Sequence, residues 1–182
     1  MSKPVVAVLT VLALTSLPAV SAAIEGELTL GVGPGFTDLP TRGSEGQSGF
    51  GGGAFAEYRF DLFWGVTGGA YHSYQLSRPG DELGGQAITS AWLGVIYNLD
   101  VATYVPFVTL GPTIFLSSPE LEDEKGRKVD AGARLGVGVD WRRYRDWSVG
   151  VEIDLHAFAT DLGKYPVYLT SMLRVNYHID LL

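Results

Sequence analysis

The chain contains no cysteine, so no disulfide can brace it, even in a compartment that would permit one. Beyond its first two dozen residues it also lacks any run long enough for a transmembrane helix without a charge, glycine or proline. Long helical periodicity is absent as well. Positive charge is scarce. With Lys3 set aside, 12 basic residues stand against 20 acidic ones, a net charge of −8. That balance argues against nucleic acid as a partner and offers no general basic face to anionic head groups.

What is present begins with an export signature. Lys3 is the only charge before Glu25, and Val5 to Leu17 is an unbroken apolar or small run. Pro18 and the small-residue stretch AVSAA (19–23) follow. Residues 1–23 therefore read as a secretory signal peptide, cut after Ala22 or Ala23. The run is shorter than the ~20 apolar residues a membrane helix needs. Residues 24–182 then make one domain's worth of chain.

That stretch holds all 24 glycines, and aromatics make up 12% of the whole chain. It resolves into alternating segments at 27–35, 49–60, 64–74, 88–99, 102–116, 130–141, 147–158 and 167–181. The seventh, VGVEIDLHAF within 147–158, is the plainest. Val149, Val151, Ile153 and Leu155 alternate with Gly150, Glu152, Asp154 and His156. Strict period-two alternation means a strand with two unlike faces. Connectors alternate in length too. DLF, the step around Asp100 and RRYRD are short, whereas 36–48, 75–86, 117–129 and 160–166 are long and polar. Short turns at one end and long loops at the other suit an all-β, eight-stranded antiparallel up-and-down barrel, with both termini on the short-turn side.

Period two does not say which face meets water. Three features do. Glycines gather on the polar phase (Gly51, Gly53, Gly132, Gly136, Gly138, Gly150), as backbones crowding a narrow lumen require. Aromatics on the apolar phase gather near the short turns: Tyr58, Phe60, Trp64, Tyr97, Tyr104, Trp141, Trp147 and Tyr177. They form a girdle suited to a membrane interface. Strands of ~10 residues at ~3.3 Å each, tilted ~40°, rise roughly 25 Å, the height of an outer-membrane apolar band.

Charge settles the phase. An Arg or Lys facing lipid at mid-depth costs ~2–4 kcal/mol, so Glu57, Arg59, Arg134, Asp140, Glu152, Asp154, His156 and Arg174 are assigned to the lumen. Similar heights on adjacent strands pair Arg134 with Asp154 and Arg174 with Glu152, with Glu57 and Arg59 contributing from across. Eight strands enclose an interior just wide enough for side chains to fill. The expectation is a plugged, ion-paired lumen and no stable conducting pore.

The segments GGGAFAEYRF followed by WGVTGGAY, LGVIYNLD and RLGVGVDWR, with the loop–turn asymmetry, make the chain similar to the small outer-membrane barrels of Gram-negative bacteria. That class includes the OmpA transmembrane domain, OmpX/Ail and OmpW. The resemblance implies an outer-membrane location, contact with its lipid and lipopolysaccharide, and delivery by the barrel-insertion machinery. Such proteins commonly finish on an aromatic residue; this chain ends HIDLL.

Catalytic chemistry is thin. His156 beside Asp154 and Glu152 has the composition of an acid–base or metal cluster, but reads as a lumen histidine held in the ionic network. A lipid hydrolase or acyltransferase would need a nucleophilic Ser beside a base and an orienting acid. His72 falls on the outward phase, Ser73 and Ser90 on the inward one, and His178 near the short-turn rim, so no triad assembles. No metal-ligand spacing or phosphate-binding loop is present, and no cofactor is expected. The charge cluster SPELEDEKGRK (118–128) is a loop tip. The sequence thus points to a structural or adhesive barrel whose long loops are available for a surface ligand. The alternative is an OmpW-type channel for small solutes or hydrophobic compounds.

Overall fold

A computed structural model describes residues 26–40, 46–76, 86–99, 103–118, 128–159 and 167–181. Eight strands follow in chain order: β1 (Glu27–Leu39), β2 (Gln47–Arg59), β3 (Trp64–Gln75), β4 (Gln86–Asn98), β5 (Tyr104–Ser118), β6 (Lys128–Trp141), β7 (Trp147–Phe158) and β8 (Tyr168–Asp180). Each pairs antiparallel with its sequence neighbours, and β8 returns to β1, so the sheet closes into a barrel with no free edge. Closure leaves every strand flanked on both sides, which is what a sheet in hydrocarbon must achieve.

The alternation of side chains is as the sequence implies, and the apolar phase faces out. Leu30, Val32, Leu93, Val95, Leu110, Leu135, Val137, Val151, Ile153 and Leu173 are all exposed. No Lys, Arg, Asp or Glu shares that face below the level of Asp38 among the described residues. In water so continuous an apolar surface would drive association; against acyl chains it is the favourable solvent boundary.

The strands run further toward the long connectors than period two alone indicates. Phe36–Leu39 belong to β1 and Gln47–Ser48 to β2, where the expected loop 36–48 lay. Asp38 pairs in register with Ser48, whose hydroxyl donates to the Asp38 carboxylate at 3.0 Å. Gln75, Gln86, Ser117, Ser118, Lys128 and Val129 are likewise strand rather than loop. Both phases carry polar or both carry apolar residues there, which erases the alternation without breaking the hydrogen-bond ladder. Residues 41–45, 77–85, 119–127 with most of the charge cluster, and 160–166, as well as residues 1–23, lie outside the described residues.

Candidate functional site

The site is the lumen, and side chains fill it in three tiers. The middle tier is ionic. Arg134 on β6 donates through one nitrogen to Glu152 Oε1 at 2.6 Å, and the same nitrogen lies 2.8 Å from Asp154 Oδ1, both on β7. Arg174 on β8 reaches three carboxylates: Glu57 at 2.7 Å across the barrel, Glu152 at 3.2 Å and Asp140 at 3.5 Å. Both guanidiniums also lie over aromatic rings. Arg134 sits 4.4 Å from the Trp92 ring centre, and Arg174 lies 4.2 Å from each of Phe55 and Phe107. Cation–π contact adds to the carboxylate bonds where water is excluded. His156 is 2% exposed; its Nε2 is 3.4 Å from the Thr170 hydroxyl, which donates to Asp154 at 3.1 Å.

Glycine makes room for this tier at two places. A Cβ on Gly136 would meet Asp154 Oδ1, Thr109 Oγ1 and Glu152 Oε1, and one on Gly31 would meet the Phe55 ring. Gly31 and Phe55 are register partners, so the ring under Arg174 takes the space that a side chain at position 31 would fill.

Beneath lies a second ionic tier that the period-two reading does not assemble. Glu27, fully buried at the start of β1, accepts both terminal nitrogens of Arg142 at 3.1 and 2.5 Å. Arg142 follows β6 and folds inward under the barrel. Arg59 lies 3.9 Å from Glu27. It was expected beside Glu57 in the central network. Two residues along the strand carry it to the lower tier, within reach of Glu27. His178 contacts Glu27 at 3.3 Å and the hydroxyls of Thr29 and Ser148 at 2.9 Å each, and Asn176 donates to Ser148 at 3.0 Å. The clue was parity: Glu27 shares the inward phase of Thr29 and Gly31, and Arg142 that of Asp140.

Above, the interior turns largely apolar, beyond the reach of the ion pairs expected in the lumen. Leu39, Ile88, Phe115, Phe158 and Tyr168 form one buried cluster at the long-connector end. Phe115 packs on Phe158 at 4.4 Å between ring centres and edge-on to His156 at 5.5 Å. The Tyr168 hydroxyl meets the Ser73 hydroxyl at 2.8 Å, and Gln75 donates to Ser73 at 3.1 Å and Thr37 at 2.9 Å. Within the segment 102–116 the inward Val105, Phe107 and Phe115 of β5 blur the period-two contrast.

Outside, Tyr58, Phe60, Trp64, Tyr104, Trp141, Trp147 and Tyr177 are exposed at the short-connector end, and Tyr97 is half-buried. Tyr97 packs against Trp64 at 4.8 Å, as Trp147 does against Tyr177 at 4.9 Å. Phe36, Phe50 and Tyr74 are exposed near the other end, on β1 to β3. His72 faces outward with its Nδ1 2.8 Å from the Thr89 hydroxyl, while Ser73 points into the lumen. Histidine and serine thus stand on opposite faces of one strand. Among the described residues no three His, Asp or Glu converge as metal ligands.

A closed eight-stranded antiparallel wall, apolar outside and ion-paired within, defines the class of integral outer-membrane β-barrels. The comparisons agree. The family model described as the outer membrane protein beta-barrel domain matches residues 7–177, and this chain belongs to that family. It is an outer-membrane protein. Among solved structures it resembles Ail, the attachment invasion locus protein of Yersinia pestis, with 16% identity and a TM-score of 0.65 over 86% of this chain and all of that one. Neisserial surface protein A gives 12% and 0.68 over 86% of this chain and all of that one. OprG of Pseudomonas aeruginosa gives 13% and 0.62, covering 86% and 97% of the two chains. At these identities the likeness is one of fold. No curated protein matches by sequence.

Proposed function

We propose that this protein is a structural or adhesive barrel whose lumen is sealed by its own side chains and whose long connectors form its working surface. In this reading both termini lie in the periplasm, and 36–48, 75–86 and 117–129 face outward, toward lipopolysaccharide or a surface ligand. The barrel-insertion machinery is the partner during assembly. The observation that carries the reading is the filling of the interior at three levels by buried residues: Glu27 with Arg142, Glu152 with both central arginines, and Phe115 with Tyr168. An interior so filled serves as a wall and a platform better than as a conduit. The name of the structural neighbour Ail, the attachment invasion locus protein, supports the adhesive side of the reading.

Planar-bilayer recording of the refolded protein tests the seal. No reproducible single-channel steps are expected, and regular steps would overturn it. The apolar upper tier gives a second reading some footing: Leu39, Ile88 and Phe115 could receive a hydrophobic compound that leaves sideways through the wall. Uptake of such a compound by vesicles carrying the protein, above that of empty vesicles, would favour the channel. A role as a lipid hydrolase or acyltransferase is the weakest reading, since His72 and Ser73 lie on opposite faces. An unchanged acyl count after incubation with lipid A is the expected result.

A further inference from the structure

The acidic chain carries a local reversal of charge at its short-connector end. The connector Arg142–Asp146 holds three arginines in five residues. Two of them are committed. Arg142 turns into the lumen to Glu27, and Arg145 pairs with Asp180. Arg143 is exposed and meets no carboxylate among the described residues. Tyr144 beside it is the most exposed aromatic among the described residues, at 68%. The flanking strands leave the connector at Trp141 and Trp147, both turned outward. The other fully described short connector, Asp61–Phe63, has no basic residue, and its Asp61 accepts the Phe63 N–H at 3.2 Å. The cationic character of this rim is therefore local.

We propose that Arg143, Tyr144 and the Trp141 ring seat the headgroup phosphate of an anionic phospholipid, of the phosphatidylglycerol type, in the leaflet against the short connectors. A guanidinium fork matches two phosphate oxygens. Indole and phenol rings rest at headgroup depth with their polar edges toward water. Charge complementarity selects the lipid: a zwitterionic headgroup brings its own ammonium and gains less from an uncommitted arginine. The choice of phospholipid over lipopolysaccharide rests on the reading that these connectors face the periplasm.

The test uses the full mature chain refolded into phosphatidylcholine bilayers containing a fixed share of phosphatidylglycerol, then released in mild detergent for native mass spectrometry. Wild type should retain phosphatidylglycerol over phosphatidylcholine. Arg143→Gln should lower that retention about fivefold, the factor to which ~1 kcal/mol per surface arginine amounts. Arg145→Gln removes the same formal charge from a guanidinium already answered by Asp180, and should leave retention near wild type. A heat-dependent gel shift in each variant confirms that the barrel is intact. Equal retention in wild type and Arg143→Gln overturns the seat, as does equal retention of the two lipids. Sidedness is read separately with Leu62→Cys. Labelling of intact cells by a membrane-impermeant maleimide would overturn the periplasmic reading and the leaflet assignment, leaving the headgroup chemistry measured in vitro untouched.

Discussion

At the scale of single residues, the central tier holds four carboxylates (Glu57, Asp140, Glu152 and Asp154) and two arginines, so loss of a cation and loss of an anion should differ in cost. Arg134→Leu strands Asp154 and takes one of two guanidiniums from Glu152, a change of about 3–5 kcal/mol for an uncompensated buried charge. Adding Asp154→Leu should return part of that loss, and Asp154→Asn alone should cost less than Arg134→Leu. Denaturant midpoints of the refolded variants measure all three, and strictly additive losses would contradict the pairing. These partners are legible in the sequence because charge at lipid depth is costly, which fixes the face they take. Arg59 was misplaced for a geometric reason: phase tells which face a residue joins, whereas tier depends on strand stagger, which period two does not encode.

At the scale of elements, all eight strands were visible, and their misjudged ends have a common cause. Alternation is a contrast signal. It fades wherever both faces are apolar, as in β5, where Val105, Phe107 and Phe115 face inward while Val108, Leu110 and Ile114 face outward. It fades equally where both are polar, as at Thr37–Asp38 and Gln47–Ser48. The lower tier was missed because the cation bonded most closely to Glu27 lies beyond a strand. Arg142 belongs to a connector, and its backbone N–H donates to the Thr103 carbonyl at 2.7 Å while its side chain turns up to Glu27. Arg142→Ala should therefore cost about 3–5 kcal/mol, comparable to breaking a buried pair inside the wall. Arg143→Ala, one residue on and exposed, should stay within about 0.5 kcal/mol. Thermal midpoints of the two variants in detergent separate a buried latch from an exposed turn arginine.

At the scale of the whole molecule, the sidedness of the wall governs everything else, and it can be probed directly. Spin labels at Leu135 and Val151 should be accessible to oxygen dissolved in lipid and shielded from water-soluble relaxants. Leu135→Arg should cost ~2–4 kcal/mol, read as a lowered unfolding midpoint in bilayers. Labels found in water would require a secreted soluble calyx instead. The ring also has a seam. Leu181 donates to the Gly26 carbonyl, and His178 spans from Thr29 on β1 to Ser148 on β7, so the first and last strands are joined by side chains and backbone, with the register lapsing only at Gly33 and Pro34. A wall of this kind has no privileged starting point. Splice its ends, reopen it at Asp61–Phe63, and the same cylinder is spelled in a different order, because its neighbours are set by rotation around an axis rather than by position along a thread.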